Sequence, residues 1–346
     1  MPQKIKKIVF CAAGTGGHFF PAFNYANLLK KKYSVVFIIN REEFKKILIK
    51  EGIKFYTIKI KYFRLFPLKD FLKTLLLFLF NFWESLIILL KERPTFVFCF
   101  GNFSSFWIGI LSKVFLKRLI IHEQNVNYGK VNKILGFFAD KICVQKWTKS
   151  IFKNKEVFLP LILRKSPKDL YKKEFVVLFF GGSQGSRIIN NLFLKIYKDL
   201  LKFNMKLILI TGKDNFEMVS KKIELCDNLE IYDFFEEMHK IYSKTKVCVM
   251  RAGIMSIFEV LSFKIYPLLL PHYLAQLHQV KNALYFHKIG LAYLCKEDPT
   301  EIKKRILSIY KDKTSLEKFR KKVDDFLSEY NKEVFLKNFE LITKEC

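Results

Sequence analysis

An apolar run, a glycine-dense turn and a helix-like run follow one another twice in this chain, about half a chain apart. Residues 5–12 lead into Gly14-Thr15-Gly16-Gly17-His18-Phe19-Phe20-Pro21 and a helix-like stretch at 22–32. Residues 175–180 lead into Gly181-Gly182-Ser183-Gln184-Gly185-Ser186 and a second helix-like stretch from Arg187. Glycines between a strand and a helix let backbone N–H groups approach an anion at the helix N-terminus. A histidine inside the first turn adds a group that titrates near neutral pH. Between and after these units, apolar runs of strand length alternate with helix-length segments: 34–39, 96–100, 119–122 and 141–144, then 206–211, 229–232, 247–250 and 267–270. Continuous apolar strands separated by helices predict parallel sheets covered on both faces. Two doubly wound α/β domains follow, with ligands at the carboxyl ends of the strands and a site expected between the domains. Beyond residue 300 the pattern is helical only, with Ile302, Ile306, Ile309, Phe319, Val323 and Phe326 at helical spacing.

A length of 346 residues suits two domains, and 51% apolar residues suffice for two cores. The formal charge is +29, with 38 phenylalanines. That balance reflects either attraction to an anionic partner or compositional drift. The seven cysteines form no metal-binding or redox spacing, which fits a reducing compartment. The basic N-terminus precedes too short an apolar stretch for a signal peptide. Residues 71–90 are broadly apolar but interrupted by Lys73, Asn81 and Glu84. Charges at such positions count against a membrane span. The segment reads either as a helix inside a large core or as one dipping into a bilayer surface. Lys59, Lys91, Arg93, Lys113, Lys117 and Arg118 belong to the basic rim around it.

Five polar clusters fall at expected strand ends. His18 reads as a helix-start residue that packs or as a base beside phosphates. Ile121-His122-Glu123-Gln124-Asn125 closes one strand, and Ser183 in the second glycine turn offers a hydroxyl. Arg251-Ala252-Gly253-Ile254-Met255-Ser256-Ile257-Phe258-Glu259 enters a helix whose N–H groups suit a diphosphate. There Glu259 is either a ribose acceptor or an ordinary surface carboxylate. Pro271-His272 through His278-Gln279 and Asn282-Ala283 form the last. Neither glycine turn matches a dinucleotide or Walker pattern.

Taken in order, GTGGHFFPA, HEQN, GGSQGSR, RAGIMSIFE and HQVKNA make the chain resemble the MurG family of peptidoglycan glycosyltransferases. The resemblance implies the GT-B fold, two Rossmann-like domains facing a central cleft. It divides the chain into residues 1–163, 164–326 and a helix at 327–346 returning to the N-terminal domain. It implies an inverting transfer of N-acetylglucosamine from UDP-GlcNAc to the muramyl C4 hydroxyl of lipid I, undecaprenyl-pyrophosphoryl-MurNAc-peptide, giving lipid II. It also implies a peripheral location on the cytoplasmic side of the cell membrane, among anionic inner-leaflet lipids.

By motif, Thr15, Gly16, Gly17, Asn125, Arg164 and Ser183 match donor-site positions. So do Phe235, the stretch Ile254, Met255, Ser256, Ile257, Phe258 and Glu259, and Gln279. His18 is the expected base, and Phe78 and Trp83 the expected membrane-docking residues. No metal or other cofactor is expected, since no Asp-x-Asp pair sits near these motifs, and no nucleic-acid partner. Two departures stand out. Leu159-Pro160-Leu161-Ile162-Leu163-Arg164 replaces the family's Asn-Pro-Val-Arg, and the glycine-rich turn before HEQN is reduced to Gly101 in Cys99-Phe100-Gly101-Asn102-Phe103-Ser104. The competing readings are a GT-B transferase acting on diacylglycerol, a UDP-GlcNAc epimerase of the same fold, and a nucleic-acid binder driven by charge.

Overall fold

Alternation along the first apolar run decides how the first sheet is buried. Ile8, Phe10 and Ala12 fall on one face and Val9, Cys11 and Ala13 on the other, all of them buried. Both faces must therefore be covered, which a parallel sheet flanked by helices achieves. The computed structural model describes residues 5–59, 68–162, 174–182, 185–272 and 277–344, with the side chains of 68–75, 277 and 313 left aside.

The first sheet contains β1 (Lys7–Cys11), β2 (Ser34–Ile39), β3 (Lys54–Thr57), β4 (Phe96–Cys99), β5 (Arg118–His122), β6 (Lys141–Val144) and β7 (Glu156–Phe158), in spatial order 3-2-1-4-5-6-7. Every pairing is parallel. Its helices are α1 (Gly16–Leu29), α2 (Glu42–Lys50), α3 (Leu68–Glu92), α4 (Ser104–Val114) and α5 (Lys130–Phe138). One face is an aromatic layer: the ring of Phe10 lies 5.4 Å from Phe37 and 5.5 Å from Phe98 on the neighbouring strands. Much of the phenylalanine excess thus serves packing, since such pairs stabilise beyond their buried area.

The second sheet contains β8 (Phe175–Phe180), β9 (Met205–Ile210), β10 (Leu229–Tyr232), β11 (Thr245–Met250), β12 (Tyr266–Leu269) and β13 (Tyr293–Leu294), again all parallel, in order 10-9-8-11-12-13. Its helices are α6 (Arg187–Leu201), α7 (Phe216–Ser220), α8 (Met238–Lys244), α9 (Ile254–Ser262), α10 (Leu277–Lys288), α11 (Pro299–Lys311) and α12 (Lys313–Leu327). Two doubly wound α/β units result, as the alternation predicts. One compact unit is Met1–Ile162 with Tyr330–Cys346, and the other Leu163–Glu329. The last helix, α13 (Lys332–Lys344), packs Phe335, Phe339 and Ile342 into the aromatic core of the first unit. Asn338 Nδ2 donates to the Phe158 carbonyl at 2.8 Å.

Three strands, β3, β7 and β13, were not anticipated. Each is a short edge strand with half-exposed residues, so it carries no continuous apolar run. Cys11, Cys99, Cys143 and Cys248 are buried in strands, where a free thiol behaves as a small hydrophobe.

Candidate active site

In the first unit the strand order reverses between β1 and β4, so the loops leaving β1, β4 and β5 converge at one end of the sheet. Thr15 sits at the N-cap of α1, and its carbonyl accepts from the backbone N–H groups of His18 and Phe19. Gly16 and Gly17 form the first turn, which carries His18 back over the sheet. His18 Nδ1 lies 2.6 Å from the carbonyl oxygen of Phe100. A carbonyl only accepts, so Nδ1 carries the proton and Nε2 is the basic nitrogen.

Two glycines border this ring, and Gly14 makes room for it. A β-carbon on Gly14 would lie 2.5 Å from Asn102 Nδ2 and 3.0 Å from His18 Cδ2, and Gly14 has φ +126°. A β-carbon on Gly101 would meet the Asn132 amide at 3.3 Å and His18 Cε1 at 3.5 Å. Asn102, also at positive φ, donates from Nδ2 to the Ala13 carbonyl and accepts from the Phe103 N–H. The side chain of Asn102 thereby ties the shortened turn after β4 to the histidine turn.

The end of β5 supplies a buried polar layer. His122 is fully buried, with Nε2 3.1 Å from both Tyr25 Oη and Gln145 Nε2. Burial pushes its imidazole down to about 3, and the neighbouring His18 adds to the fall, so the ring is neutral. Glu123 is 1% exposed and accepts four N–H bonds: from the backbone and side chain of Asn125, from Gly129 and from Asn132. Burial raises its carboxyl against those bonds. Glu123 therefore fixes the loop that carries Asn125. Gln124 is 3% exposed; its carbonyl accepts from Trp147 Nε1 at 2.8 Å, and its side-chain amide reaches His18 Nδ1 at 3.0 Å.

In the second unit the order reverses between β8 and β11. A β-carbon on Gly185 would lie 2.2 Å from the Thr211 carbonyl, so this turn passes where only glycine fits. Arg251, just beyond β11, donates from Nε to Ser186 Oγ at 3.0 Å and from a terminal nitrogen to the Leu270 carbonyl at 2.9 Å. Burial lowers its pKa while Glu297 opposes the shift. Arg251 thus clamps the N-cap of α6 to the end of β12.

The helix α9 begins after Gly253. Ile254, Met255, Ile257 and Phe258 are buried, whereas Ser256 and Glu259 are half-exposed. The two lie three residues apart on one helix face. What the segment offers a ligand is its N-terminal N–H groups and that one face. Gln279, in the first turn of α10, accepts weakly from the His272 N–H at 3.4 Å. Phe235 is half-buried with its ring 4.8 Å from Tyr232. Ser183, Arg164 and the side chain of Lys73 lie outside the described residues.

The structure therefore gathers Thr15, Gly16, Gly17 and His18 with the 122–125 loop in one unit. In the other, the 254–259 segment and Gln279 both follow carboxyl ends of strands. Sequence reasoning missed the Phe100 carbonyl, a backbone group with no side-chain signal. It quoted Gln124 and Arg251 within motifs without assigning them roles. The signal for Arg251 was a lone cation directly after a buried apolar strand.

On α3, Leu76, Leu79, Phe80, Trp83, Ile87 and Leu90 are all at least half exposed and follow helical spacing. The inward face carries Ile88 and Leu89 into the core, together with the buried polar residues Asn81, Ser85 and Glu92. The outer face is thus apolar where a helix on a water-exposed surface is polar. Trp83 is 59% exposed. Phe78 is half-buried, with its ring 4.9 Å from Trp107 and 5.4 Å from Phe106, so it also helps to hold α3 on α4. No helix among the described residues is long and apolar enough to cross a membrane.

Residues 8–144 match the glycosyltransferase family 28 N-terminal domain, and residues 176–334 its C-terminal domain. The chain is 32% identical to the UDP-N-acetylglucosamine--N-acetylmuramyl-(pentapeptide) pyrophosphoryl-undecaprenol N-acetylglucosamine transferase of Aquifex aeolicus (strain VF5), with 93% of this chain and 96% of that protein covered. It is 30% identical to the protein of the same name from Sulfurihydrogenibium sp. (strain YO3AOP1), covering 93% and 94%. Among solved structures, the crystal structure of Acinetobacter baumannii MurG superposes with a TM-score of 0.76 at 23% identity, covering 98% of this chain and 99% of that one. That likeness speaks for the fold.

Proposed function

The chain belongs to the MurG family of N-acetylglucosamine transferases, and we propose that it performs that family's reaction with His18 as the base. The reaction moves N-acetylglucosamine from UDP-GlcNAc to the muramyl hydroxyl of lipid I, giving lipid II and UDP. The acceptor oxygen forms its bond to the anomeric carbon as the bond to UDP breaks. The hydroxyl proton passes to His18 Nε2, and the electron pair leaves on the diphosphate. The hydrogen bond from Nδ1 to Phe100 carries this reading, because it presents Nε2 as the acceptor at a strand-end turn. General-base assistance is typically worth about 10²–10⁴-fold.

The second unit is assigned the donor. N–H groups at the start of α9 suit the diphosphate, since a helix N-terminus favours negative charge. Glu259, on the accessible face, suits two ribose hydroxyls. Gln279 is assigned to the sugar, the backbone around Phe235 to the uracil, and Ser183 and Arg164 to the donor on the motif alone. Thr15, Gly16, Gly17 and Asn125 complete the assignment from the first unit.

The exposed apolar face of α3 supports peripheral docking. An exposed stripe of Leu, Phe, Trp and Ile is costly in water and favourable in the interfacial region of a bilayer. Basic side chains nearby add attraction to anionic headgroups on the cytoplasmic leaflet. An acceptor with a polyprenyl tail makes such docking useful.

The test of substrate class is radiolabelled UDP-GlcNAc offered with either a lipid I analogue or diacylglycerol. Label in the lipid I product alone supports the proposal; label in diacylglycerol favours a different membrane transferase.

A further inference from the structure

Gln124 is held at several points for a residue that is almost wholly buried. Its backbone carbonyl is pinned by Trp147, and the preceding Glu123 is locked by four N–H donors. The side chain is consequently aimed at one point, His18 Nδ1, 3.0 Å from its amide nitrogen. Yet Nδ1–H already donates to Phe100 at 2.6 Å, so an amide N–H facing it would set two donors against each other. The amide oxygen of Gln124, meanwhile, is buried without a hydrogen-bond partner. A half-turn of the amide sets its oxygen against Nδ1–H and turns its NH2 toward His122, whose Nδ1 is likewise buried without a hydrogen-bond partner. The opposite orientation turns the oxygen toward neighbouring His122 and the NH2 toward His18. It needs an unprotonated Nδ1 only 2.6 Å from a carbonyl oxygen, two lone pairs in contact.

We propose that Gln124 is a positioning residue for the transfer reaction: its amide oxygen and the Phe100 carbonyl share the Nδ1–H of His18. The inference rests on His18 being the base. Two acceptors on one N–H fix the ring plane and hold the proton off Nε2. They also stabilise the imidazolium that forms when Nε2 takes the acceptor proton. The role is that of the carboxylate behind a catalytic histidine, performed by a neutral group. A neutral partner suits this place. Among the described residues, the titratable groups facing the amide are His18 on α1 and His122 on β5, with Tyr25 behind His122. Glu123 turns its carboxylate away, toward Asn125, Gly129 and Asn132.

The test combines nitrogen-15 NMR of the histidine rings in the full chain with kinetics of Gln124→Leu and Gln124→Glu. In the unmodified protein the neutral His18 ring should carry its proton on Nδ1. In Gln124→Leu, kcat should fall roughly 10–100-fold, less than full loss of a base, with the UDP-GlcNAc KM unchanged. Gln124→Glu keeps an acceptor, so it should retain kcat at high pH while its acid limb moves to higher pH. A proton on Nε2 of His18 in the unmodified protein overturns the proposal. So does an unchanged kcat in Gln124→Leu, or an unmoved acid limb in Gln124→Glu. If Gln124→Leu fails to fold, the tautomer and the Glu variant decide. Full activity of His18→Ala would instead sink the base assignment and leave the tautomer result standing.

Discussion

His18 Nδ1 and the Phe100 carbonyl oxygen are 2.6 Å apart, joining the first turn of α1 to the end of β4. That contact exists because Gly14 leaves the ring space. Gly14→Ala should therefore act on catalysis through geometry. The added carbon would press on Asn102 and the imidazole, at a backbone angle that L-residues resist, costing about 1–3 kcal/mol. Steady-state kinetics should show kcat reduced at least tenfold with the donor KM within about twofold, since misplacing a reacting group by about 1 Å can cost 10²-fold. An unaltered kcat would mean that the ring's position is not set there.

The ribose assignment rests on Glu259 being one of two accessible side chains in its segment. Glu259→Ala should raise the UDP-GlcNAc KM about 10–100-fold, in line with about 1.5–3 kcal/mol for hydrogen bonds to a charged group. Isothermal titration with UDP checks the same loss without turnover. Equal affinity in both proteins would remove Glu259 from the donor site.

Membrane docking predicts a split between two assays. Replacing Trp83 and Ile87 together by Ser should weaken binding to anionic vesicles by about 2 kcal/mol or more, from lost apolar burial. Activity on a short-chain soluble acceptor should be nearly intact. Phe78→Ser should behave differently, lowering the melting temperature because its ring packs on Trp107 and Phe106. Equal loss in both assays for Trp83 and Ile87 would assign them to the core.

Acid sensitivity follows from His122. Its folded value, about 3, lies below the ordinary 6.5, so the unfolded chain binds more protons between these pH values. Stability contributed by the neutral ring is complete above pH 6.5 and is lost as pH falls toward 3. The slope is up to about 1.4 kcal/mol per pH unit for one proton. Urea unfolding of His122→Gln should show a shallower acid slope than the unmodified protein. Parallel slopes would place the proton uptake elsewhere.

Much of this was readable before any coordinates. Buried central strands such as Phe175–Phe180 are continuous apolar runs, and the glycine turns after β1 and β8 mark helix starts. Edge strands β3, β7 and β13 were not, because one ladder partner and half-exposed faces leave no pattern to detect. His18 was legible as a chemical group. Its tautomer was not, since Phe100 acts through its backbone. The inward-facing Asn81 and Ser85 were also hidden: a helical wheel shows a polar stripe without saying which way it points. The packing of Phe78 on Trp107 and Phe106 was hidden for the same reason, as exposure depends on where α4 lies.

The most direct test is a single-turnover transfer from radiolabelled UDP-GlcNAc to a lipid I analogue, run side by side with the unmodified protein and folded His18→Ala at saturating donor. The account predicts β-linked disaccharide product and stoichiometric UDP from the unmodified protein, with a rate about 10²–10⁴-fold lower in the variant. Equal rates in the two proteins would contradict it.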